Sequence, residues 1–461
     1  MSELVDKLIE VVGADAVLQG EDASSRSQGW ARPGPTLAKA IVRPANTQEV
    51  STVLRLCHQA GQPVVPQGGL TGLVGGTVST PSEIGISLER MTRIESVEAA
   101  TRTMVVEAGA PLQAIQEAAE ENGLLFPLDL GARGSCTIGG NISTNAGGNR
   151  VIRFGMTRDM VLGLEAVLAD GTVLSSMNKM IKNNAGYDLK HLFIGSEGTL
   201  GIVTRAVLRL RPQPRSHNAA LLGVADFDKL TALLAAVDVG LGSSLSAFEV
   251  MWKEFYELVT TEPAHSRPPL AYDYPLYVLV EALGSDQQSD TERFESILGE
   301  CMENDLIADA VLATSRSERD GLWEMRDDVE QMARIGPFFT YDVSLGIPDM
   351  PSYLEEVRGG LAKQWAEPKV LVFGHLGDGN LHIVVSVGSS DVDTRRKVSQ
   401  CVYGPLRERA GSVSAEHGIG TEKLPYLSLS RSEAEIAVMR AIKQTLDPKG
   451  ILNPGKVLQA G

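Results

Sequence analysis

Val370-Leu371-Val372-Phe373-Gly374-His375-Leu376-Gly377-Asp378-Gly379-Asn380-Leu381-His382-Ile383-Val384-Val385 reads as two β-rich runs around an Asp-Gly pair. Asp-Gly favours a two-residue type I′ hairpin. With Asp378-Gly379 as the turn, Gly377 pairs with Asn380 and His375 with His382. Directly opposed residues have Cβ atoms roughly 4.5–5.5 Å apart, so the hairpin predicts two adjacent imidazoles. Downstream, Ser414-Ala415-Glu416-His417-Gly418-Ile419-Gly420 adds a carboxylate and a third imidazole in a glycine-bounded turn. Two histidines and one acid form an open zinc set with a position left for substrate. A hairpin with one buried and one surface histidine fits the same stretch. The Glu416-His417 pair turns the reading toward His375, His382 and Glu416 as metal ligands, with zinc expected and manganese accepting the same donors.

Working outward, the chain holds three glycine tracts. Pro63 to Pro66 is a predicted strand that ends in Gln67-Gly68-Gly69-Leu70-Thr71-Gly72-Leu73-Val74-Gly75-Gly76. Such a loop lets backbone N–H groups converge on an anion, although a flexible loop has the same composition. The second tract runs from Leu130-Gly131 through Ser135-Cys136-Thr137-Ile138-Gly139-Gly140-Asn141-Ile142-Ser143-Thr144-Asn145-Ala146-Gly147-Gly148. Its small residues admit a flat ligand, and its amides and hydroxyls offer hydrogen bonds. The third is Gly195-Ser196-Glu197-Gly198-Thr199-Leu200-Gly201-Ile202, leading into a strand. No G-x-G-x-x-G and no Walker motif occurs, so neither a Rossmann dinucleotide site nor a P-loop is supported.

The 461 residues suffice for two or three domains. A net charge of −16 without a long basic run argues against nucleic acid or an anionic membrane as partner. Four scattered cysteines form no CxxC, which excludes a cysteine-ligated iron–sulfur cluster and suggests a reducing compartment. No apolar run reaches the roughly 20 residues of a spanning helix. The N-terminus, MSELVDKLIEVVG, is acidic and amphipathic, unlike a presequence. The expected location is cytoplasmic. Helices are predicted from Thr47, as N-cap, to about Ala60, and over Glu318 to Arg334 with Ser317 near its cap.

PQGGLTGLVGG, IGGNISTNAGG, YDLKHLFIGSEGTLGIVT, GHLGDGNLH, SAEHGIG and LDPKGILNPGK occur in this order. Together they resemble the FAD-dependent D-2-hydroxy acid dehydrogenases of the vanillyl-alcohol oxidase type, over about Leu37 to Leu458. The resemblance implies an α+β fold. An FAD-binding domain of two α/β subdomains spans 1–215, and a substrate and metal domain with an antiparallel sheet spans 216–420. A short C-terminal helical segment, 421–461, returns to the flavin.

The resemblance also implies roles. Gln67, Gly68, Gly69, Leu70, Thr71 and Gly72 would cradle the FAD pyrophosphate. Leu130, Gly131, Ser135, Ile138, Gly139, Gly140, Asn141, Thr144, Asn145 and Gly147 would line the cofactor, with Gly198, Gly201, Ile202 and Asn453. The first two tracts lack His and Tyr, so the FAD is expected to be non-covalent. Arg326 would bind the substrate carboxylate, Asn380 would hydrogen-bond the substrate, and His417 would be the general base. In hydroxyglutarate enzymes a lysine precedes the Tyr-Asp pair, and a threonine follows the arginine by one turn. Here Thr340 and Glu330 stand at those positions, which disfavours a second carboxylate. The substrate set is thus D-2-hydroxyglutarate, D-lactate, D-malate or a related D-2-hydroxy acid, with Thr340 at the pocket.

Electrons would pass to a separate acceptor: an electron-transfer flavoprotein, a quinone or a cytochrome. Relatives are often homodimers. A glycolate oxidase-type catalytic subunit is the nearest alternative. A zinc hydrolase would use the same His–His–Glu set but leaves the glycine tracts unexplained.

Overall fold

The computed structural model describes residues 2–459, which divide into two compact units. The first unit comprises the chain up to Gly148, Gly155–Gln213 and the chain from Glu416 on. The second comprises Asn149–Phe154 and Pro214–Ala415.

In the first unit, a four-stranded sheet has the order Val17–Gln19, Ala40–Val42, Ile84–Ser87, Val64–Gln67. The last three strands run parallel. The helix Thr47–Ala60 is the crossover that carries the chain from Ala40–Val42 to Val64–Gln67, with Ile84–Ser87 lying between those two strands. Its buried Val50, Val53, Leu54 and Cys57 recur at i, i+3, i+4 and i+7, the spacing of one helical face. The N-cap is Asn46, not Thr47: the Asn46 side chain accepts the Glu49 N–H at 2.9 Å. A five-stranded antiparallel sheet follows, ordered Ile94–Glu98, Thr103–Glu107, Ile202–Arg209, Val161–Val167, Val173–Ser176.

The C-terminal helix Glu433–Leu446 opens on a capping box made by Ser432 and Glu435. Beyond it, the tail lies parallel to the strand Val64–Gln67. Val64 N–H donates to Ile451 O at 2.8 Å, and Asn453 N–H donates to Val64 O at 2.8 Å. Lys443 anchors the turn through Asp447, Thr199 O and Leu452 O.

The second unit is built on a seven-stranded antiparallel sheet. Its order is Asp309–Leu312, Ser216–Val224, Leu276–Gly284, Leu245–Trp252, Lys369–His375, Asn380–Ser386, Phe339–Ser344. Aromatic rings fill one face: Phe255 stacks on Phe373 with centroids 4.1 Å apart, and Tyr256 on Tyr277 at 3.7 Å. Two arginines tie Asn149–Phe154 to this unit. Arg150 makes a two-point ion pair with Glu281, and Arg153 donates to Ser246 Oγ and Leu283 O.

The hairpin between Lys369 and Ser386 is present in a different register. Phe373, not His375, pairs with His382. Leu376–Asp378 is a single 3-10 turn, and only Gly379 takes a positive φ, 81°. A type I′ turn needs positive φ at both central residues. Asp378 instead stays right-handed and its carboxylate accepts the Asn380 N–H at 3.3 Å. The helix predicted over Glu318 to Arg334 begins earlier, at Arg316, and ends at Asp327. Ser315 and Glu318 form its capping box, and a 3-10 segment Val329–Ile335 continues the chain.

Candidate active site

In the first unit, a cavity of about 140 Å³ opens at the C-terminal end of the strand Val64–Gln67. Gln67, Gly68, Gly69, Leu70, Thr71 and Gly72 line it, together with Gly139, Gly140, Asn141, Thr144, Gly198, Gly201, Ile202 and Asn453. His417 also lines it. The glycines are there for close approach. A Cβ on Gly69 would lie 2.0 Å from Ser135 O, and one on Gly139 would lie 2.7 Å from the Ala108 Cβ.

The other cofactor residues expected from sequence lie outside the lining. Ile138 is wholly buried core. Asn145 ends the helix Ile138–Thr144 in the left-handed region and accepts the Arg158 N–H at 2.9 Å. Ser135 backs Gly69 through its carbonyl. Leu130 and exposed Gly131 belong to the preceding turn, and Gly147 is buried beyond the helix. In their place the cavity gains Thr137, Ser143, Cys136 and Glu197. Burial pushes the Cys136 thiol pKa up, in keeping with a small wall residue rather than a nucleophile.

The lining suits a polar, flat nucleotide. Gln67 Nε2, Thr137 Oγ1, Asn141 Oδ1 and Asn453 Oδ1 are buried in it without a hydrogen-bond partner among the described residues. Buried polar atoms ordinarily find partners, so four convergent orphans mark a ligand surface. Leu70, Glu197 and Asn453, none of them glycine, have φ of 58°, 52° and 42°. Such strain costs roughly 1–3 kcal/mol each and clusters at functional sites. Asn453 is held there by its Nδ2, which donates to Gly76 O and Glu197 O.

In the second unit, His375 and His382 are diagonal neighbours on one sheet face. Their Nε2 atoms are 3.3 Å apart. Two imidazoles bound to one tetrahedral zinc at about 2.0–2.1 Å would have nitrogens about 3.3–3.4 Å apart. Glu416 follows the last residue of this unit by one peptide bond. His375 and His382 each offer a ring nitrogen, and Glu416 is the acidic candidate that the sequence sets beside them. The donor set and the spacing fit a metal ion.

Around the histidines the charges are buried and paired. Glu249 lies directly across the ladder from His375 and accepts from its Nδ1 at 2.7 Å. Arg326 is buried and donates to Glu249 Oε2 from Nε at 2.8 Å, with Nη2 at 2.7 Å. Burial pushes the Glu249 carboxyl pKa up, but His375 and Arg326 outweigh it and the net shift is down. Asn380 is buried, with Nδ2 bound to Asp342 Oδ1 and Val343 O. Its Oδ1 has no hydrogen-bond partner among the described residues. Thr340 is exposed and Glu330 is exposed. Arg334 caps the helix Lys253–Thr260 by donating to Leu258 O, Thr261 O and Glu262 O.

Sequence reasoning missed Glu197, Glu249 and Glu281. Each had a signal. Glu249 and Glu281 are lone acids in apolar strand runs, SAFEVMW and YVLVEALG, and a carboxylate in such a run must be paired.

The same chain matches the FAD linked oxidases, C-terminal domain, over residues 213–457, and an FAD binding domain over 38–176. The chain belongs to the FAD-linked oxidases. It is 39% identical to the mitochondrial D-2-hydroxyglutarate dehydrogenase of Arabidopsis thaliana, covering 97% of this chain and 80% of that one. It is 41% identical to the D-2-hydroxyglutarate dehydrogenase of Xanthomonas citri, covering 95% and 93%. The 4-ethylphenol oxidase of Gulosibacter chungangensis shares the fold, with a TM-score of 0.77 at 18% identity over 99% of this chain and 96% of that one. This FAD-linked oxidase is an oxidoreductase of the D-2-hydroxy acid dehydrogenase group. Among the described residues, no helix is long and apolar enough to cross a membrane.

Gly69→Ala tests the cradle. With 2.0 Å to Ser135 O, the loop must shift, and flavin absorbance per protein should fall sharply while the circular dichroism stays that of the folded chain. Full flavin content would show that the loop does not need this approach.

Proposed function

We propose that this FAD-linked oxidase converts a D-2-hydroxy acid to its 2-oxo acid with the help of a divalent metal, zinc in the first instance. The observation that carries this reading is the pair of histidine Nε2 atoms 3.3 Å apart in a chain whose other unit binds FAD. The relatives named D-2-hydroxyglutarate dehydrogenase support the substrate class. His375, His382 and Glu416 would hold the metal.

When bound, FAD accepts the hydride that leaves the substrate Cα. A bound metal supplies a Lewis-acid contact for the substrate's hydroxyl and carboxylate. His417, next in sequence to Glu416 and on the cavity wall, takes the hydroxyl proton on its ring nitrogen. Asn380 Oδ1 accepts a hydrogen bond from the substrate. Arg326 supplies positive charge for its carboxylate. The electrons then leave to a separate acceptor.

The FAD is bound non-covalently in this reading. The first two glycine tracts, which supply much of the lining, contain no His and no Tyr to attach a flavin. Acid precipitation should release all the flavin into the supernatant; flavin in the pellet would refute non-covalent binding.

His417→Ala should slow anaerobic flavin reduction by roughly 10²–10⁴-fold, the usual worth of a general base. Metal content should be unchanged. Chelation of the wild-type enzyme should stop reduction without altering the flavin spectrum, and zinc should restore it. Full activity in metal-free enzyme would end the metal reading, and near-normal reduction by the variant would remove His417 from the mechanism.

Substrate breadth follows from the cations. Thr340 and Glu330 are exposed, and Arg334 is occupied by a helix end. D-lactate and longer monocarboxylates should therefore compete well with D-2-hydroxyglutarate in the same assay. A strong preference for the dicarboxylate would show that another cation takes its distal carboxylate.

A further inference from the structure

Glu249 sits at the centre of the strand Leu245–Trp252, 1% exposed, and divides its two oxygens between two partners. Oε1 faces His375 Nδ1 at 2.7 Å. Oε2 receives Arg326 Nε at 2.8 Å and Nη2 at 2.7 Å. An ionised carboxylate only accepts, so the proton on His375 must lie on Nδ1. The lone pair is then on Nε2, which points at His382 Nε2. A neutral imidazole in that tautomer is the form that ligates a metal.

The contact is built into the sheet. Glu249 and His375 are opposed on adjacent strands, so their side chains share a face and a fixed spacing. Arg326 is fixed independently. It comes from the last turn of the helix Arg316–Asp327, and its guanidinium lies over the Phe373 ring at 5.1 Å.

We propose that Glu249 is the positioning residue of this site. It sets the tautomer and aim of the metal ligand His375, and with its other oxygen it orients the guanidinium that meets the substrate carboxylate. One buried carboxylate thereby fixes the spacing between the metal and the carboxylate subsite. This deepens the metal-assisted reading above and rests on it. A carboxylate that served only to neutralise Arg326 would do nothing for the metal, and the two roles separate experimentally.

The test uses the FAD-loaded enzyme, stripped of metal and titrated with zinc against a chromophoric chelator. Glu249→Gln should weaken zinc binding by roughly 10–100-fold, the usual worth of a carboxylate behind a ligating histidine. Flavin content should stay at the wild-type level, and saturating zinc should restore part of the lost flavin reduction. Arg326→Gln keeps the carboxylate on His375, so it should raise the substrate KM and leave zinc affinity near wild type.

The double variant Glu249→Gln/Arg326→Gln leaves no unpaired charge buried, so it carries the test if Glu249→Gln alone does not fold. It should bind zinc as weakly as Glu249→Gln is expected to. Wild-type zinc affinity in either variant lacking Glu249 would overturn the proposal. Equal loss of zinc in Arg326→Gln would overturn it too, because the effect would then be one of general packing. A wild-type enzyme that binds no zinc would instead refute the metal reading, and this inference with it.

Discussion

Burying a carboxylate costs several kcal/mol unless its charge is met, and the central sheet of the second unit buries two on one face. Ala247 pairs with Glu281, and Glu249 lies two residues further along the same strand. Each acid gathers its own partners: Arg150, His217 and Trp323 around Glu281, and Arg326 and His375 around Glu249. Those partners come from different parts of the chain. The need for compensation therefore fixes where the helix Arg316–Asp327 lies on the sheet and which way His375 faces. The polar site follows from the electrostatics of two strands whose other residues are mostly apolar.

The first unit answers a different constraint, that of bringing backbone close to a ligand. Gly69 and Gly139 have no room for a Cβ: Ser135 O backs the first in its loop, and Ala108 backs the second in the helix Ile138–Thr144. The wall is completed from far along the chain. Asn453 reaches it because the tail pairs with Val64, the first residue of the strand that ends at the glycine loop. The left-handed backbone of Leu70, Glu197 and Asn453 is held against its cost by those contacts.

Much of this was legible in the residues. The glycine tracts, His375, His382, Glu416 and Asn453 were all visible as types at particular spacings. What was not legible was three-dimensional. The hairpin register depended on whether Asp378 would take a positive φ, and its side-chain contact to the Asn380 N–H kept it right-handed. The histidines still met, because a diagonal pair of long side chains reaches as far as an opposed pair. Asn145 and Ile138 lay within a ligand-like tract but serve the helix and the core, a distinction that depends on which face of Ile138–Thr144 is buried. Arg334 could be named as a cation but not seen to be occupied by carbonyls from a distant helix. Ser315 and Asn46 were displaced by one or two residues from the expected caps, as helix ends often are.

The turn that carries Glu416 and His417 is built against the cavity wall within the first unit. Glu197 belongs to the third glycine tract and lines the cavity. Its carboxylate accepts the N–H groups of Ile419 at 2.6 Å and Gly420 at 2.8 Å. Burial nevertheless leaves its pKa raised. A Cβ on Gly418 would lie 2.7 Å from Glu197 Oε1, so glycine is needed where the turn passes the carboxylate. Glu416 is held on the other side, where it accepts the N–H of Gly148 at the end of the second tract. Glu416 and His417 thus sit on a turn gripped on both sides by the glycine tracts. A displacement of either tract would therefore move the imidazole of His417 and the carboxylate of Glu416 together.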